Sequence, residues 1–189
     1  MPEHLSTSEQ IRLQFLVLRT QSGDERAFSQ LHKEFGDRTF RYLLGLVGDD
    51  VASDIHQEVW LAVYKKISGL ANPAAFRTWL YQITRYRALD YLRASKRRND
   101  VLNDLEGGED AAEIPVEPVE LTLSEQSVLE SAVSQLPASQ RDAVILRYWE
   151  EMSYVEIALV VGCSIGTVRS RLHHAKLKLK TIMEDVADV

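Results

Sequence analysis

SYVEIALVVGCSIGTVRSRLHHAKLKLK runs from Ser153 to Lys180. Ser153 followed three residues later by Glu156 is a capping-box pattern, in which two side chains satisfy orphan backbone N–H groups at a helix start. Ile157, Ala158, Val160 and Val161 supply that helix with an apolar face. Gly162 can take the left-handed conformation that ends it, and Ser164 is placed to cap a second helix. There Ile165, Val168, Leu172, Ala175 and Leu179 recur on one side at helical spacing. Ser170, His173 and His174 lie roughly opposite, flanked by Thr167, Arg169 and Arg171. A helix held by one face and donor-rich and basic on the other meets the requirements for reading a major groove. Its N-terminus also favours phosphate. A solvated basic helix closing a small bundle would explain the charge alone, but not the coincidence of two caps with a glycine turn. The paired histidines diverge by about 100° on a helix and cannot easily share one ion. No metal site is expected.

The basic helix sits in an acidic chain. The 189 residues carry a formal net charge of -6, and the charge is arranged in blocks. Residues 77–98 hold seven Lys and Arg against Asp90 alone. Residues 99–130 hold ten acids and no Lys or Arg. Residues 169–180 hold Arg169, Arg171, Lys176, Lys178 and Lys180 with no acid. Blocks of this kind say more about partners than the net charge does. Cys163 is the single cysteine, which rules out an internal disulfide and fits a reducing compartment. The start lacks a basic-then-apolar secretory signal, and no run approaches the ~18 apolar residues of a membrane span. The cytoplasm is the expected location, without membrane insertion.

The rest of the chain reads as helices, with no strand alternation to compete. Gly23 breaks an N-terminal helix and Asp24 is a good cap for the next one, which continues past Gly36 towards Gly48. Val51, Ile55, Val59, Ala62, Val63 and Ile67 then fall on one helical face. SGLANP is a loop, with Pro73 suited to a first helical turn. The helix after it interleaves Phe76, Trp79, Tyr81, Tyr86 and Tyr91 with Arg77, Arg85, Arg87, Arg93, Lys96, Arg97 and Arg98. Aromatic faces stack on unpaired bases while arginines neutralise phosphates, a mixture suited to opening DNA. Trp79 and Ile83 are assigned mainly to packing, Tyr86 and the basic tail to contact. From Asn99 to about Leu123 the helical pattern fails among Gly107, Gly108, Pro115, Pro118 and many acids, which predicts a flexible, charge-extended linker. Helices resume after it. The expected fold is all-α, with helical domains at 1–98 and 124–189 and an acidic linker at 99–123.

GDERAF, DVASDIHQEVWLAVYKKI and FRTWLYQITRYRALDYLR resemble region 2 of the extracytoplasmic-function (ECF) sigma factors of bacterial RNA polymerase. LPASQRDAVILRYWEEMSYVEIALVVGCSIGTVRSRLHHAKLKL resembles their region 4. The resemblance implies a non-enzymatic factor, without cofactors, that brings core polymerase to promoters. Its partners would be the β′ clamp and β subunits, promoter DNA and an anti-sigma factor. It implies that Asp54, Gln57 and Glu58 face the clamp helices. Leu70, Asn72, Arg85, Tyr86 and Arg93 would meet the −10 element. Arg169, Ser170, His173 and His174 would face base edges of the −35 element, with Thr167 and Arg171 on phosphate. The sequence departs from the family pattern at His56, Tyr86, Asn72-Pro73 and the His173–His174 pair, which bears on the promoter sequence rather than on the function. A free-standing helix-turn-helix regulator would need neither the acidic docking face nor the aromatic helix. A small hydrolase would need HxxxH or HExxH spacing, a phosphate loop or a nucleophile elbow, and the five histidines show no such spacing. A pure adaptor would leave the groove-reading face without a use.

Overall fold

Four helices form the first half of the chain: α1 (Thr7–Gln21), α2 (Glu25–Val47), α3 (Asp49–Lys66) and α4 (Phe76–Glu106). Four more form the second half: α5 (Glu125–Ser134), α6 (Ala138–Val144), α7 (Tyr154–Val161) and α8 (Ile165–Ala187). A π-helical turn, Ile145–Trp149, follows α6. The structure is a computed structural model and describes residues 7–106 and 125–187, which include no strand.

The breaks fall where the local chemistry puts them. Asp24 caps α2, its side chain accepting from the backbone N–H groups of Arg26 and Ala27. Arg19 grips the same carboxylate, and this hydrogen bond, first among several causes, holds the Asp24 pKa below its ordinary value. Gly48 joins α2 to α3 at φ 79, a left-handed value that an L side chain rarely adopts. Helix α4 runs to Glu106, past the expected linker start at Asn99. No glycine or proline interrupts the chain between Asn99 and Glu106, and the first breaker is Gly107. The rest of the expected linker, 107–123, lies outside the described residues.

Two apolar cores result. In the first, Val17, Leu31, Leu43, Val59, Val63, Phe76 and Leu80 are fully buried, and Phe35 meets Phe76 edge-on with ring centroids 5.6 Å apart. The second gathers Leu146, Met152, Ile157, Val168, Leu172 and Ala175 around the helical hairpin. Tyr42 of α2 and Tyr81 of α4 belong to this second core, both wholly buried. The halves therefore share a packed seam, which the sequence patterns did not suggest. Its polar groups are matched across the two halves. Asp142 accepts from the Tyr42 hydroxyl at 2.6 Å and from Arg85 Nε at 2.7 Å. Glu150 accepts from Arg38 Nε at 3.0 Å and from the Tyr81 hydroxyl. Gln82 Nε2 donates to the Leu159 carbonyl at 3.0 Å.

Candidate nucleic-acid interface

The hairpin forms as its residues dictate. Ser153 N–H donates to Glu156 Oε2 at 2.8 Å, and Glu156 N–H donates to Ser153 Oγ at 3.2 Å, closing the capping box. Gly162 takes φ 69 and ends α7. Ser164 Oγ accepts from Thr167 N–H at 3.1 Å at the start of α8. Val168, Leu172 and Ala175 are buried beneath α8 and Leu179 is half-buried. Ile165, expected on that apolar face, is 39% exposed.

On the outer side Arg169, Ser170, His173 and His174 are all exposed, as a groove-facing role requires. Ser170 Oγ lies 3.3 Å from His174 Nδ1, and the two histidine rings meet edge-on at 5.7 Å. Thr167 and Arg171 are half-buried. The Thr167 hydroxyl is 2.9 Å from Ser164 Oγ, so it belongs to the cap network. Tyr154 had no part in the sequence reading. Its ring carries the guanidinium of Arg147 at 5.1 Å and that of Arg169 at 6.0 Å, a cation–π arrangement that restrains Arg169. A tyrosine directly after an N-cap serine gives no signal of this in sequence.

The candidates on the first half differ in freedom. Tyr86 is 60% exposed and Arg93 is exposed. Asn72 is exposed, and its Oδ1 accepts from Ala74 N–H at 3.0 Å, shaping the loop before α4. Leu70 packs against the first core, and its carbonyl accepts from Gln21 Nε2 at 2.8 Å. Arg85 is occupied by Asp142 across the seam.

Asp54, Gln57 and Glu58 share an exposed face of α3. Glu58 lies 3.6 Å from Arg87 Nη1 of α4. Leu61, 59% exposed one turn further on, extends this face, and sequence reasoning passed over it because a lone exposed leucine is ordinary. Beneath the face His56 is half-buried. Its Nε2 lies 3.0 Å from the Gly36 carbonyl, 3.0 Å from Trp60 Nε1 and 3.2 Å from Thr39 Oγ1. Burial lowers the His56 pKa. Among the described residues no cluster of three His, Cys, Asp or Glu side chains could hold a metal ion. No described helix is long and apolar enough to cross a membrane.

Comparison with known proteins identifies the family. The family models for Sigma-70 region 2 and Sigma-70 region 4 match residues 31–98 and 126–179. The ECF RNA polymerase sigma-E factor of Escherichia coli K12 is 34% identical over 178 residues, spanning 89% of this chain and 93% of the relative. That of Haemophilus influenzae is 33% identical over 177 residues, spanning 89% and 94%. Two solved structures share the fold. CnrH in complex with the cytosolic domain of CnrY has a TM-score of 0.66 at 21% identity, covering 92% of this chain and 97% of that one. The sigma factor RpoE in complex with the anti-sigma factor NepR from Bartonella quintana has a TM-score of 0.65 at 23% identity, covering 83% and 96%. With two separate modules matched in order and a full-length relative above 30% identity, this chain belongs to the ECF sigma factors of bacterial RNA polymerase.

Proposed function

We propose that this chain is an alternative sigma factor that binds core RNA polymerase and directs it to promoters through separate −10 and −35 contacts. The reading rests on a fully capped helix-turn-helix with Arg169, Ser170, His173 and His174 exposed, in a chain of sigma-factor family. Sigma factors carry no catalysis of their own; the polymerase makes the bond. Asp54, Gln57 and Glu58 dock the β′ clamp helices, acids against a basic protein surface, and the second half meets the β subunit. Leu70, Asn72, Arg85, Tyr86 and Arg93 serve the −10 element. Thr167 and Arg171 support the −35 readers from the cap and from the phosphate side. The working division is 1–98 for polymerase and −10 contact, 99–123 as connection, and 124–189 for the −35 element. The structural relatives are bound to CnrY and to NepR, which supports an anti-sigma partner for this chain as well. Promoter access places it in the cytoplasm.

Gel filtration with purified core polymerase tests the reading. The wild-type chain is expected to co-migrate with core and to support run-off transcription. Asp54→Arg/Glu58→Arg is expected to lose both. A wild-type chain that binds duplex DNA tightly alone but leaves core unbound would make it a free-standing regulator instead.

A further inference from the structure

We infer that a cavity between the two halves, walled by α2, α5, α6 and the turn after α6, is a binding site for a small molecule with a flat apolar body and one anionic head. The promoter reading above makes no use of this cavity, and the inference does not depend on it.

The cavity holds about 360 Å³, within the ~300–1,000 Å³ range of small-molecule sites. Gly45 of α2 lines it where the halves come closest, and a Cβ there would collide with Ile145 Cδ1. The bare backbone of Gly45 therefore lets the two halves meet and close one wall. Val133 and Ile145, both buried, and the half-buried Trp149 add apolar wall. An indole face can carry a flat ring by offset stacking.

Charge selects among flat ligands. The guanidinium groups of Arg41 and Arg141 line the same cavity. Arg41 is exposed and enters no ion pair among the described residues. Arg141 donates from Nη1 to the Ser134 carbonyl at 3.0 Å, but its buried Nε has no hydrogen-bond partner among the described residues. Burial lowers the Arg141 pKa, against the pull of the Asp142 carboxylate, which is already taken by Arg85 and Tyr42. A desolvated guanidinium with a bare N–H gains from an acceptor that reaches its Nε–Nη2 edge. The acids of the cavity do not supply it. Glu150 is taken by Arg38 and the Tyr81 hydroxyl. Glu130 is exposed and pairs with neither arginine. Two cations against one uncommitted acid leave the cavity positive. A cation would be repelled there, and an uncharged ring would leave Arg141 uncompensated. An aromatic anion satisfies both the wall and the charge.

Two fluorescent probes that differ only in charge test this on the full chain. 8-Anilinonaphthalene-1-sulfonate carries an anionic head, and N-phenyl-1-naphthylamine is the same ring system without it. One sulfonate per chain is expected to bind, about tenfold or more tighter than the amine, as one charge-assisted hydrogen bond allows. Arg141→Met should bring the sulfonate down to the affinity of the amine and leave the amine unchanged. Arg41→Met alters only an exposed side chain and should lower the sulfonate affinity in the same sense. Glu130→Gln removes the uncommitted acid and should raise it. A loosened fold would raise both probes together, so the ratio of the two affinities is the reading. 2-Naphthoate and 2-naphthyl phosphate are then titrated against bound sulfonate, and the stronger competitor assigns the head as carboxylate or phosphate. Displacement by neither overturns the proposal. So does equal affinity of the two probes in the wild type, or a ratio that none of the three substitutions moves.

Discussion

Raising the pH through about 10 tests the seam at its driest point. Tyr42 is wholly buried and donates to Asp142 at 2.6 Å; Tyr81, equally buried, donates to Glu150. Burial pushes both phenols well above the ordinary tyrosine value, and the adjacent carboxylates push them further. Each phenolate would have to form beside a carboxylate and away from water. In the unfolded chain both phenols ionise near 10. Above that pH the folded chain retains two protons that the unfolded chain has released. Their stabilisation is therefore complete below pH 10 and is lost as pH rises towards the folded values. Linkage sets the loss at about 1.4 kcal/mol per pH unit for each phenol, about 2.7 kcal/mol for the pair. The assay is urea unfolding by far-UV circular dichroism at steps from about pH 9 to about pH 11, wild type against Tyr42→Phe/Tyr81→Phe. Lysines, arginines and the other tyrosines are common to both chains, so the difference in slope isolates the two phenols. At neutral pH the double variant should be less stable by about 1.5–3 kcal/mol for each lost hydrogen bond to a charged group. It should then lose less with alkali, by the slope given. Equal slopes in the two chains would refute the reasoning, because they would mean that the phenols ionise as freely folded as unfolded.

Acid tests His56 in the opposite sense. Burial is the main cause of its lowered pKa, with His32 adding to it and the Gly36 carbonyl and Asp37 opposing it. The unfolded ring therefore binds its proton first, so stability is present above about pH 6.5 and falls as pH drops through that value. Chemical denaturation of His56→Gln from about pH 7 to about pH 5 should give a flatter profile than wild type; matching profiles would remove His56 as the cause. Ser153→Ala deletes the acceptor of the capping box and should cost about 0.5–2 kcal/mol, read as a lower urea midpoint and weaker −35 duplex binding. Gly162→Ala meets no atom within 4 Å but keeps φ 69, so the loss should be about 1–2 kcal/mol from backbone strain alone. Gly162→Asn should recover part of it, and an alanine variant as stable as wild type would show that the turn relaxes.

The readable parts of this chain were those governed by local rules. The capping box, the Gly162 turn and the buried line of Val168, Leu172 and Ala175 each follow from a residue and its neighbours within one or two turns. The same holds for the Asp24 cap and for the exposed Asp54, Gln57 and Glu58 set on α3. The failures began where the decisive neighbour lies far away in sequence. Ile165 keeps the apolar spacing of α8 yet is 39% exposed, and spacing alone cannot say where a partner helix stops. The end of α4 was set too early because the acidic composition after Asn99 resembles a linker. A helix tolerates acids far better than the glycine pair that follows them.

The seam was illegible for a deeper reason. Asp142 in ASQRDAV and Glu150 in RYWEE look like solvated surface acids, and nothing in their surroundings marks them as buried. Tyr42 and Tyr81 sit on helices whose core periodicity is complete without them. Only the contact across the halves turns these four residues into two matched sites, with Arg38 and Arg85 completing them. Such contacts are specified pair by pair, and they carry no period that a single sequence can display. Arg85 shows the consequence for function. Composition assigns it to DNA, and geometry gives it to Asp142 across the seam. Asp142→Asn leaves Arg85 and the Tyr42 hydroxyl without their charged acceptor, and breaking a buried pair from one side is destabilising, so the urea midpoint should fall; an unchanged midpoint would show that the seam does not depend on this pair.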